Sequence, residues 1–197
     1  MIFENLKNFE WYNEPANVTF GSHELEITAA EGTDFWQSKH HNFFKDDGHF
    51  FFITQSTDFS CVVKWRFENA VHFNQCGLML RADEHNWFKI SVMSADEHNP
   101  EIGSCVTKDG ISDWAGAPLP ENCNELWYKS VRHGNDYVVF YSVDGVNFIR
   151  VRQFALNSID SDIKIGAYIC APRDFGFKAV LDEIDFFDLA MKKFLIF

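Results

Sequence analysis

The chain has 197 residues and a formal net charge of −12, from seventeen Lys and Arg against twenty-nine Asp and Glu. That length supports one domain with a sizeable core. The charge repels phosphate backbones and anionic headgroups, so nucleic acid and membrane surfaces are not expected partners.

The opening M-I-F-E-N-L-K-N-F-E carries early charges and lacks the apolar core of a secretory signal. No stretch approaches the length of a membrane span. T-D-F-W-Q, which holds Trp36, reads as a loop. From residue 59 onward, short runs with period-two alternation recur: F-S-C-V-V-K-W-R-F, C-G-L-M-L-R, W-F-K-I-S-V-M, L-W-Y-K-S-V-R, Y-V-V-F-Y-S, F-I-R-V-R-Q-F, I-K-I-G-A-Y-I and K-A-V-L-D-E-I-D-F-F. Twenty-two Phe, six Trp and five Tyr suit such pleated, half-buried surfaces. Turn signals stand around them, D-D-G at 46–48, K-D-G at 108–110, H-G-N-D at 133–136 and D-G at 144–145. The pattern predicts an all-β protein, an antiparallel two-sheet β-sandwich or jelly roll, as one domain over 1–197. The C-terminal A-M-K-K-F-L-I-F, within 189–197, is a short extension, either a final element or an apolar tail seeking a partner.

Cys61, Cys76, Cys105, Cys123 and Cys170 are odd in number, scattered and without a C-x-x-C pair. Neither a disulfide framework nor a thiolate metal site is indicated, and a cytoplasmic, reducing setting is expected. A-D-E-H-N occurs at Ala82–Asn86 and again at Ala95–Asn99, and His with carboxylates suggests a metal. A strand of about eight residues rising roughly 3.3 Å each holds the copies too far apart to share one ion. They read as polar turns, and no metal or cofactor is assigned.

Three patterns bear on catalysis. Ser112 in K-D-G-I-S-D-W-A-G lacks the G-x-S-x-G elbow of a serine hydrolase, because Trp114 holds the last position and no helix follows. Ser112 reads as a turn cap. Y-S-V-D-G-V-N-F resembles a sialidase-propeller box with one residue missing, and it occurs once where propellers repeat it. It reads as a hairpin with Asp144-Gly145 supplying positive φ angles. Glu183, Asp185 and Asp188 resemble the E-x-D-x-x-E arrangement of glucanases built on concanavalin A-like sandwiches. Retaining hydrolysis needs two carboxylates about 5–5.5 Å apart on one face. Alternation puts Glu183 and Asp185 together, although a solvated strand ending the sandwich shows the same pattern.

The remaining signal is a candidate binding face. Phe88, Ile90 and Val92 point into the core, so Trp87, Lys89 and Ser91 point away, as do Met79 and Arg81 opposite Leu78 and Leu80. Pairing through the first A-D-E-H-N turn brings Arg81, Trp87 and Lys89 onto one outward face. Loops holding Trp36 and Trp114 could wall it. Tryptophan stacks on sugar rings while Arg, Lys, Asp and Gln pair with hydroxyls, and Trp and Arg also dominate protein interfaces. In the alternative, the tryptophans cap the sandwich and Arg81 pairs with a nearby acid.

D-F-W (34–36), Q-C-G-L-M-L-R (75–81), N-W-F-K (86–89), S-D-W (112–114), Y-S-V-D-G (141–145) and G-A-Y-I-C-A-P (166–172) follow one another in order. The series resembles the domain family named for regulation of enolase, a concanavalin A-like sandwich of otherwise unknown function, from about residue 5 to 188. Asn74-Gln75-Cys76-Gly77 stands where that family has D-Q-A-G. The resemblance implies a two-sheet jelly roll, a cytoplasmic setting and an association with enolase and carbon metabolism. Its motif residues on the candidate face are Trp36, Gln75, Arg81, Trp87, Lys89, Asp113 and Trp114. The expectation is a non-catalytic interaction protein that modulates a metabolic enzyme, with enolase as the candidate partner. Its alternatives are a carbohydrate-binding module using the same face and a glycosidase using Glu183 and Asp185.

Overall fold

The computed structural model describes residues 6–38, 43–68, 70, 72–95, 99–120, 122–156, 162–173 and 175–188. The second A-D-E-H-N copy lies partly outside them, and the predicted extension at 189–197 wholly so.

Sixteen strands are described. They are β1 (Glu10–Tyr12), β2 (Asn17–Phe20), β3 (Leu25–Ala29), β4 (Phe35–Ser38), β5 (Phe43–Asp46), β6 (His49–Gln55), β7 (Phe59–Phe67) and β8 (Gln75–Arg81). After them come β9 (Trp87–Met93), β10 (Glu101–Lys108), β11 (Ile111–Pro118), β12 (Glu125–His133), β13 (Asp136–Ser142), β14 (Ile149–Ala155), β15 (Ile163–Cys170) and β16 (Phe177–Asp188). The alternating runs correspond to β7, β8, β9, β12, β13, β14, β15 and β16. Among the strands without that signal, β1 and β2 are very short, most of β10 is buried on both faces, and β11 is largely exposed along its length.

One antiparallel sheet runs β1-β6-β15-β8-β9-β10-β11, and a second runs β14-β13-β12-β7-β16-β3-β2. This two-sheet sandwich is the expected jelly-roll class. β16 is last in sequence but lies between β7 and β3 inside its sheet, so it does not end the sandwich as the sequence suggested.

Alternate residues of facing strands fill the space between the sheets. Leu25 and Ile27 meet Val63, Trp65, Leu78, Leu80, Ile90 and Ile165, all almost wholly buried. Two side chains of the second sheet cross this core to polar backbone of the first. Trp65 Nε1 donates to Gly77 O at 2.9 Å. The Tyr128 hydroxyl donates to Cys76 O at 2.9 Å and accepts from Val92 N at 2.8 Å, filling a gap between β8 and β9.

The outer face of the first sheet is itself covered. The β4–β5 hairpin lies over it, and Phe35 meets Trp87 and Tyr168 edge-on, at centroid distances of 6.2 and 6.3 Å. Phe35, Phe50, Phe52, Met79, Trp87, Cys105, Tyr168 and Cys170 form a second buried cluster there. The outward direction expected of Trp87 and Arg81 holds, but the chain's own hairpin, rather than solvent or ligand, covers them.

Candidate functional site

Where the hairpin stops short of the sheet, a cleft of about 360 Å³ opens on the outer face of the first sheet. One wall is Trp36 of β4 and another is Trp114 of β11, both half-buried, with the exposed ring of Phe43 beside them. Trp36 and Trp114 sit on strands and not in the loops predicted for them. The hairpin between β10 and β11 is present at Asp109 and Gly110, with φ of 50° and 75°, but β11 starts at Ile111. Trp114 has its place because Gly103, on β10, lacks a side chain. A Cβ at Gly103 would lie 1.9 Å from Trp114 Cζ2.

The floor is polar. Lys89, only 1% exposed, donates through Nζ to Asp34 Oδ1 at 2.9 Å. Burial acts most strongly and disfavours its ammonium, yet the Asp34 carboxylate, with Cys170 and Cys105 acting in the same sense, leaves its pKa above the ordinary lysine value. Asp34 Oδ1 also accepts from Phe35 N at 2.7 Å, which ties the ion pair to the start of the hairpin. Gln75 accepts from the Tyr168 hydroxyl at 3.1 Å and donates to Phe73 O at 3.2 Å, using one of its two amide hydrogens.

The rim is conformationally strained. His72 and Phe73 both hold positive φ, 58° and 66°, a region bulky residues rarely occupy. Phe73 N donates to Ser94 O at 2.8 Å, fixing the turn, and the Arg173 guanidinium lies over the Phe73 ring, 5.0 Å from its centroid.

Trp36, Gln75, Lys89 and Trp114 therefore line one cleft, while the other three expected residues do not reach it. Arg81 pairs with a neighbouring acid, holding both Asp46 oxygens at 2.7 and 2.8 Å, over the Tyr12 ring. Tyr12 donates to Asp46 as well, at 2.6 Å, and burial followed by that bond pushes its pKa up to about 12. Trp87 is fully buried under Phe35. Asp113 points to the opposite side of β11 from Trp114 and pairs with Arg152 at 3.0 Å. Ser112 does not cap its own turn. Its hydroxyl accepts from Gln37 N at 2.9 Å and bonds Thr107 at 2.7 Å, fastening β4 to β11.

Sequence reasoning missed Asp34, Phe43, Phe73 and Arg173. Asp34 opens the D-F-W motif and Arg173 directly follows G-A-Y-I-C-A-P, so both lie beside recognised signals. Only folding shows that they face Lys89 and Phe73.

Glu183 and Asp185 lie elsewhere, on the outer face of the second sheet, after a bulge at Asp182. Burial raises the Glu183 pKa first, then the Asp185 charge and a hydrogen bond between the two carboxyls; the Trp127 indole N–H and Lys64 act in the opposite sense. Lys64 lies 4.5 Å from the Trp127 ring centroid and pairs with Glu125 at 3.0 Å. The side chain of Asp188 lies outside the described residues. Asp144 differs from expectation, since only Gly145 there has positive φ, 72°. The Asp144 carboxylate instead accepts from Asn147 N at 2.7 Å, Asn147 Nδ2 at 2.7 Å, Val146 N at 2.9 Å and the Ser142 hydroxyl at 2.9 Å, which holds its pKa well below the usual range. Among the described residues no group of three or more His, Cys, Asp and Glu is placed to hold a metal.

Two packed antiparallel sheets, with a polar and aromatic cleft on the outer face of one, make this a concanavalin A-like β-sandwich. Within that class the chain belongs to the family described as "Protein of unknown function (DUF1349)", which matches residues 11–188. It is 26% identical over 178 residues to Regulation of enolase protein 1 of Saccharomyces cerevisiae, covering 90% of this chain and 88% of that one. A solved structure of a functionally unknown protein from Saccharomyces cerevisiae superposes with a TM-score of 0.85 at 25% identity, over 93% of this chain and 97% of that one. The GH43 protein BlXynB of Bacillus licheniformis gives a TM-score of 0.67 at 14% identity, over 92% of this chain but 39% of the enzyme. That last likeness is one of fold.

Proposed function

We propose that the protein is a non-catalytic regulatory protein that binds a polyhydroxylated ligand in the cleft and acts on a protein partner. Enolase is the partner that its relative's name supplies. The carrying observation is the cleft itself, where Trp36, Trp114 and Phe43 stand over the Lys89–Asp34 pair and the Gln75 amide. Flat apolar rings with a few fixed polar groups suit a sugar-like molecule, which has an apolar face and hydroxyl edges.

The lining favours binding over chemistry. Among the described lining residues Asp34 is the one carboxylate, and it is engaged by Lys89, whereas hydrolysis of a glycosidic bond uses two flanking carboxylates. Glu183 and Asp185 lie on the other sheet and are not part of the cleft's lining. Five unpaired cysteines, four of them buried, support a cytoplasmic, reducing setting for one domain. Among the described residues no helix is long and apolar enough to cross a membrane.

Calorimetric titration with mono- and oligosaccharides, alongside enolase rate assays with and without the protein, tests both halves. Trp36→Ala and Trp114→Ala are each expected to weaken saccharide binding about tenfold or more. Equal affinity in both variants would place the ligand elsewhere. An enolase that is neither retained by the immobilised protein nor altered in rate would remove that partner.

A further inference from the structure

The cleft holds one charge with no counter-charge. Lys89 and Asp34 neutralise each other at its floor. Arg173, at the rim, pairs with no carboxylate among the described residues, although the chain as a whole carries a net charge of −12.

Arg173 is also held in place. Its carbonyl accepts from Gly32 N at 3.0 Å, which anchors the backbone, and its guanidinium carbon lies 5.0 Å from the centroid of the Phe73 ring. Phe73 is fixed in its unusual conformation by Ser94. A ring beside a guanidinium accepts none of its N–H groups in a directed hydrogen bond, and their forked edge matches two oxygens of a carboxylate or phosphate.

Resting on the reading of the cleft as a polyol site, we infer that its ligand is anionic, a sugar-like molecule bearing a carboxylate or phosphate group. The ring packs against Trp36 and Trp114 while the anionic group takes the edge of Arg173. The same positive charge offsets, at the cleft mouth, the repulsion that an acidic protein exerts on an anion.

The experiment compares glucose, glucuronate, glucose 6-phosphate and inorganic phosphate alone, by calorimetric titration at low and high salt. At least one anionic sugar is expected to bind about tenfold more tightly than glucose at low salt, with the gap narrowing as salt rises. The tighter of the two tells carboxylate from phosphate. Arg173→Ala should bring the anionic sugars to the level of glucose and leave glucose unchanged, whereas Trp114→Ala should weaken all three sugars. Glucose binding as tightly as both anionic sugars would overturn the inference and leave the polyol reading standing. Inorganic phosphate matching glucose 6-phosphate would reduce the site to a bare anion site and overturn it too. Failure of every sugar to bind would overturn both readings.

Discussion

Glu183 and Asp185 sit two residues apart on β16, on the outer face of the second sheet, and this sets a pH dependence. The Glu183 pKa is raised by burial and by Asp185, so the folded state holds a proton that the unfolded chain releases nearer the ordinary glutamate value of about 4.3. Stability from this pair is therefore complete below that value and is lost as pH rises through the folded pKa. Urea unfolding across mildly acidic pH should show stability falling with rising pH, and Glu183→Gln should flatten the slope. A slope unchanged in Glu183→Gln would assign it to other groups. Arg81 shows what alternation reads and what it misses at this scale. Its spacing from Leu80 gives its face correctly, but Asp46 lies thirty-five residues away along the chain, so no local pattern shows that the face is already paired and covered.

At the scale of elements, β4–β5 and β10–β11 build the cleft. β11 is an edge strand whose Trp114 folds across the bare backbone of Gly103 on its neighbour β10. Gly103→Ala should push the indole out and weaken saccharide binding about as much as Trp114→Ala, roughly tenfold, with a stability loss of about 1–3 kcal/mol from overpacking. Titration of Gly103→Ala would check this, and full affinity would mean that the ring's position does not matter. The sequence located β7 and β12 through alternation because each has one face in the core and one partly exposed, and β9 because Lys89 and Ser91 alternate with its core residues although both of its faces are buried. It did not locate β4 and β5, which are four residues each and carry little periodic signal. Trp36 was legible as a candidate residue before its strand was.

Across the whole molecule, the two sheets are joined by polar contacts as well as by apolar packing. The Tyr128 hydroxyl serves a carbonyl of β8 and an amide of β9 from the opposite sheet. Tyr128→Phe leaves both groups buried without their partner, at a cost of about 2 kcal/mol. In a domain of this size that lowers Tm by about 4–8 °C, measurable by scanning calorimetry. An unchanged Tm would mean that β8 and β9 close on each other and do not need the hydroxyl. Since Tyr128 lies in the core, away from the cleft, saccharide affinity in the surviving folded protein should not change.

Local order alone determined the all-β class, eight of the strands, the hairpin at Asp109-Gly110 and the side of the sheet on which Lys89 lies. Those features depend on spacings of one or two residues and on turn chemistry, which a short segment carries in full. Tertiary structure decided that the β4–β5 hairpin covers Trp87 and Arg81, that Asp34 meets Lys89, and that Arg173 closes the rim unpaired. These juxtapose residues far apart in the chain, and a period-two pattern gives the direction of a side chain without saying what it will meet.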